Sequence, residues 1–126
     1  MLLSTLEIID NLITTEVFLN KDESSKFILL LKDYKSNEYI YPEIFKSALH
    51  INSSLCYKIF SKIIQLGYIK IVYKLYCPKC HEVTDEIYES LNDINTDIFC
   101  TNCDYNLVNS ENPFKYLVIF YKVVQE

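Results

Sequence analysis

Two cysteine pairs constrain this chain more than any other feature: Cys77-Pro78-Lys79-Cys80 and Cys100-Thr101-Asn102-Cys103, separated by the 19 residues 81–99. A C-x-x-C turn points two thiolates at one place, and two such turns complete a tetrahedron about 2.3 Å from a zinc ion. The spacing predicts one structural Zn2+ held by Cys77, Cys80, Cys100 and Cys103. Four thiolates leave no coordination position for water or substrate, so the metal's contribution is folding energy. Between the pairs, Val83, Ile87, Tyr88, Leu91, Ile94, Ile98 and Phe99 are too few to hold a core alone. Metal binding and local folding should therefore be coupled. His81 follows the first pair and reads as an exposed neighbour of a set that is already complete. Cys56 stands with Leu55, Ile59, Phe60 and Ile63 and reads as a small buried hydrophobe.

Five cysteines could mark an oxidised secreted scaffold. A chain of 126 residues, half of them hydrophobic, can bury a core without cross-links, and in a reducing compartment the same spacing means metal ligation. No apolar run reaches the roughly 18 residues that span a bilayer, and the start Met1-Leu2-Leu3-Ser4-Thr5-Leu6-Glu7 lacks the basic region of a secretory signal. The expectation is a cytoplasmic protein with no membrane partner. A single Gly and three Pro argue against a flexible linker, and no solenoid-like repeat is present.

Leu6, Ile9, Ile13 and Val17 recur at helical spacing and predict an N-terminal amphipathic helix. Phe27, Leu30, Leu31 and Tyr34 form a second stripe behind Asp22 and Glu23, which suit the positive end of a helix dipole; this helix should end near Lys35 and Ser36. Tyr39-Ile40-Tyr41 is extended, because Pro42 disfavours helix before it and suits the first turn of a helix after it. A short helix from Pro42 to about Leu49 follows, then one capped by Asn52 or Ser53 and running to Leu66, with Gly67 at its stop. Tyr68–Tyr76 alternates, with Ile69, Ile71, Tyr73 and Leu75 on one face, and Lys115–Val124 makes a second strand. This is the element order of a winged helix-turn-helix. The expected fold is therefore α+β: a winged helix with a four-cysteine zinc ribbon inserted in or following the wing. The boundaries are 1–76 for the helices and winged-helix core, 77–114 for the ribbon, and 115–126 for the returning strand.

Tyr76-Cys77-Pro78-Lys79-Cys80, an acidic stretch, then Phe99-Cys100-x-x-Cys103 with Leu107 after it, resembles the zinc ribbon of the alpha subunit of the general transcription factor TFIIE and of archaeal TFE. Those proteins also join a winged helix to a zinc ribbon. The resemblance implies a non-catalytic adaptor that contacts polymerase or promoter DNA.

Charge bears on the choice of partner. Residues 1–76 carry nine Lys against eight acids, whereas residues 77–126 carry three Lys against nine acids, and every basic residue is Lys. A recognition helix at 53–66 would present Ser54, Tyr57, Lys58, Ser61, Lys62 and Gln65. Without Arg the commonest specific contact, to guanine, is missing, and the net charge of −5 opposes a phosphate backbone. Eleven Tyr and seven Phe favour protein contacts, with Tyr34, Tyr39, Tyr41, Tyr57 and Tyr68 as candidates. The leading expectation is an accessory or adaptor subunit of a larger intracellular complex, with complexes that act on nucleic acid among those open to it. A DNA-binding transcriptional regulator, homodimeric through its N-terminal helix, stays open as an alternative. A C-x-x-C thiol redox protein is the weaker one; that chemistry wants the motif at a helix start beside a parallel sheet, which the sequence does not display.

Overall fold

Capping and apolar spacing account for the four α-helices seen in the computed structural model, which describes residues 1–17, 19–94, 98–108 and 114–126. Phe18, residues 95–97 and residues 109–113, the last closing the expected ribbon, lie outside the described residues. Helix α1 spans Leu3–Leu12 and continues as one π-helical segment, Ile13–Val17, so Leu6, Ile9, Ile13 and Val17 are all buried. Helix α2, Lys21–Leu31, begins on a capping box: the Asn20 side chain accepts from the Glu23 N–H at 2.8 Å, and the Glu23 carboxylate accepts from the Asn20 N–H at 3.2 Å. Two otherwise orphaned amides are satisfied by that exchange.

Helix α2 stops earlier than its apolar stripe suggests, at Leu31 and not near Lys35 and Ser36. The carbonyls of Lys32 and Tyr34 accept instead from the Met1 ammonium, at 2.9 and 2.6 Å. The backbone then turns through Asn37, at φ 72°. Strand β1 is Tyr39–Ile40, and α3 is Pro42–Leu49 with Pro at its first turn. Helix α4, Ser53–Gln65, is capped by Asn52, whose side chain accepts from the Leu55 N–H at 2.8 Å. Gly67 follows at φ 87°. A Cβ there would meet nothing within 4 Å, so the left-handed backbone, not space, is what calls for glycine.

Strands β2, Ile69–Leu75, and β3, Leu117–Val123, complete an antiparallel sheet of order β1-β3-β2, with Tyr39 opposite Lys122 and Ile40 opposite Tyr121. The expected alternation along β2 is not what is seen. Ile69, Val72 and Leu75 are buried, and Ile71 and Tyr73 are half-buried. Adjacent side chains of a strand point to opposite faces, so burial of Val72 beside a partly buried Tyr73 means both faces are covered there.

The chain forms two units, Met1–Lys70 with Tyr121–Glu126, and Ile71–Phe120. In the first, α1 packs on α2, α2 on α3 and α3 on α4. Its core is an aromatic cluster of Phe27, Phe45, Phe60 and Tyr121. Phe45 meets Phe60 edge-on at 5.2 Å between ring centroids, and Tyr121 stacks on Phe60 at 4.6 Å. Such pairs add about 0.5–1.5 kcal/mol each beyond their burial. Cys56 is buried in this unit with its thiol 3.5 Å from the Pro42 carbonyl, and burial pushes its pKa up to about 11. No helix among the described residues is long and apolar enough to cross a membrane.

Candidate metal centre

The four cysteines of the two pairs converge in the second unit, on two turns of the same construction. At the first, the Cys77 N–H donates to the Glu82 carbonyl at 2.8 Å and the His81 N–H to the Cys77 carbonyl at 2.9 Å. At the second, the Cys100 N–H donates to the Tyr105 carbonyl at 2.8 Å and the Asp104 N–H to the Cys100 carbonyl at 2.9 Å. The antiparallel bridges Tyr76 with Val83 and Phe99 with Asn106 extend the correspondence. So do the bonds from the Thr84 N–H to the Leu75 carbonyl and from the Leu107 N–H to the Ile98 carbonyl. Each turn reverses through one left-handed residue directly after its second cysteine, His81 at φ 62° and Asp104 at φ 59°.

The result is four sulfurs within 4.8 Å of one another. Contacts of 3.5 Å run from one pair to the other, Cys77 to Cys103 and Cys80 to Cys100. A zinc–thiolate bond of about 2.3 Å gives a tetrahedron with edges of about 3.8 Å, whereas a disulfide requires about 2.05 Å. The spacing fits one ion among four donors, and all five cysteines of the chain are free of disulfides.

The electrostatics of the sulfurs point the same way. Burial raises the Cys77 thiol, but the N–H groups of Cys80 and Lys79 and the thiols of Cys80 and Cys103 outweigh it and bring the pKa down to about 6. Cys80 is pushed up to about 12, first by burial and then by its sulfur neighbours. At Cys103 the Tyr105 N–H lowers the pKa, but burial and the neighbouring thiols turn the net shift upward. Four thiolates this close cannot all ionise without a cation among them, and a bound dication would displace the protons the cluster otherwise shares.

A small core supports the cluster: Leu75, Tyr88, Ile94, Leu107 and Val108 are buried around Cys77 and Cys100. Of the apolar residues between the pairs only Tyr88 and Ile94 are buried; Val83, Leu91 and Phe99 are exposed. His81 lies outside the donor set, exposed, and shares a hydrogen bond of 2.9 Å with the Tyr76 hydroxyl.

The candidate partner contacts on α4 lie together on its outer face. Ser54, Tyr57, Lys58, Ser61 and Gln65 are exposed, while Lys62 is half-buried and 3.9 Å from Glu16. Among the candidate tyrosines, Tyr41 and Tyr57 are exposed, but Tyr34, Tyr39 and Tyr68 are half-buried, Tyr34 lying over Phe45 at 6.3 Å. The difference is set by tertiary packing, since a tyrosine packs its ring and exposes its hydroxyl equally well. The left-handed residues His81 and Asp104 were also not foreseen; the signal available was their identical place after each C-x-x-C.

Fold and site together define an α+β chain whose second unit gathers four cysteines able to bind a metal ion. Compared with protein-family models, curated proteins and solved structures, the chain matches none.

Proposed function

We propose that this chain is a non-catalytic, zinc-binding winged-helix protein that serves as an accessory or adaptor subunit of a larger intracellular complex. The observation that carries the reading is the closed set of four sulfurs within 4.8 Å. Four thiolates complete a tetrahedral zinc site, so the residues Cys77, Cys80, Cys100 and Cys103 would hold the ion, and the ion would hold the two turns in register. Zinc is preferred because soft thiolates in a tetrahedral set suit it. The winged-helix assignment is supported by the order α2, β1, α3, α4, β2, β3 and by the central place of β3 in the sheet. The ribbon between β2 and β3 then occupies the wing, the combination implied by the resemblance to the alpha subunit of TFIIE.

A protein partner is favoured over DNA by charge. Lys62, one of two lysines on the outer face of α4, is engaged by Glu16, and no arginine exists to read guanine. Metal content and native mass, measured on protein purified without chelator and again after adding duplex DNA, test the reading. One zinc per chain without a DNA complex at moderate salt is the expected result. One zinc with a stable complex would put a DNA-binding regulator in its place, and absence of zinc would overturn the metal centre itself.

A further inference from the structure

The metal-bearing unit has a second feature beside its sulfurs. A cavity of about 210 Å3 is lined by Thr84, Asp85, Glu86 and Tyr88 together with Ile98, Phe99 and Thr101. Tyr88, buried, and Ile98, half-buried, line it, and so does the exposed Phe99, 51 % accessible. Asp85 and Glu86 also line it and are exposed, and among the described residues neither takes part in an ion pair. Glu86 accepts a hydrogen bond of 3.1 Å from the hydroxyl of Tyr88, a second lining residue, which ties its carboxylate to the cavity wall.

Size and charge together narrow the occupant. Pockets for small molecules run to about 300–1,000 Å3, so this one takes little more than a single side chain. Six acids and no lysine or arginine stand between the two cysteine pairs, and four thiolates around a dication would leave two further negative charges. An anion is repelled from such a place. An apolar slot with carboxylates beside it matches a long side chain with an aliphatic or planar stem and a cationic head, the stem lying on the aromatic ring and the head meeting the acids.

We infer that this slot is a docking site for a lysine or arginine side chain presented by a segment of a partner protein. The inference rests on the adaptor reading and names the chemistry of its partner. Phe99 and Thr101 flank Cys100 in the chain, so the metal-held turn is what positions one wall of the slot.

The test uses the 15N-labelled, zinc-loaded full chain and an acetylated peptide of alternating glycine and arginine, with the neutral citrulline peptide as control. The expected result is saturable shifts in the amides of Thr84, Glu86, Phe99 and Thr101 with the arginine peptide and none with the citrulline one. Affinity should fall about tenfold in Asp85→Asn and in Phe99→Ala, and hold within about twofold in Asp93→Asn, which removes the same charge outside the slot. No binding, equal binding of the citrulline peptide, equal loss in Asp93→Asn, or shifts confined to α4 would each overturn the site. So would a concentration-dependent dimer that fills the slot with a second copy. Zinc content measured on the same samples separates the two readings. Zinc-replete protein that ignores the arginine peptide sinks the docking site alone, whereas protein without zinc sinks the metal centre and the site with it.

Discussion

Asp104 and His81 each carry a Cβ at a positive φ, where most L-residues lose about 1–2 kcal/mol and Asp, Asn and His lose least. The repeated choice of a polar residue after each C-x-x-C is therefore physical, since the turn must reverse there for the following strand to bridge back. Asp104→Gly should be tolerated without loss, and Asp104→Val should cost about 1–2 kcal/mol, read as easier zinc removal by a competing chromogenic chelator. A Val variant that holds zinc as well as the parent would refute the strain argument. Tyr121 offers a second prediction at this scale. Burial, followed by Tyr57 and Cys56, raises its pKa above the unfolded value of about 10. The neutral phenol is the form the folded state favours, so its contribution is complete below about pH 10 and is lost as pH rises through the folded value. Denaturation midpoints should fall above about pH 10, and fall less steeply in Tyr121→Phe; equal slopes would remove Tyr121 from the cause.

At the scale of elements, local chemistry accounts for most helix starts. Asn52 was legible as a cap because a short polar residue precedes an apolar stripe, and its side chain accepts from the Leu55 N–H. Asn52→Ala should destabilise the helical unit by about 1 kcal/mol, while Asn52→Asp should hold it, both measured by chemical denaturation followed at the helical signal. The cap at Asn20 and its exchange with Glu23 were equally local, yet the dipole argument for Asp22 and Glu23 passed over them. Element ends were harder. Nothing near Lys32 in the sequence announces that its carbonyl and that of Tyr34 will bond the Met1 ammonium, about thirty residues away. The β2 pattern failed for a similar reason: alternation predicts which residues share a face, but burial depends on what the rest of the chain lays over each face.

At the scale of the molecule, two cores are built on different principles. The helical unit rests on aromatic packing, with Phe27, Phe45 and Phe60 fully buried, and the second unit rests on a small apolar cluster around four sulfurs. Excess chelator should therefore abolish amide-exchange protection at Cys77, Cys100 and Leu107 while the amides of α2 and α4 stay protected. Simultaneous loss in both would mean that the metal stabilises the whole chain. Sequence alone picked out Cys77, Cys80, Cys100 and Cys103 as one candidate metal site, because each C-x-x-C is a local turn that points its two sulfurs at one place; that the two turns meet, with all four sulfurs within 4.8 Å, is a tertiary outcome. Sequence also determined the α+β class and the order of elements, through helical and alternating periodicity. Tertiary structure alone decided which tyrosines are covered, where α2 stops, and that Asp85, Glu86 and Phe99 line one cavity. Those outcomes depend on groups far apart in the chain, whose meeting is set by packing and not by the preferences of their neighbours.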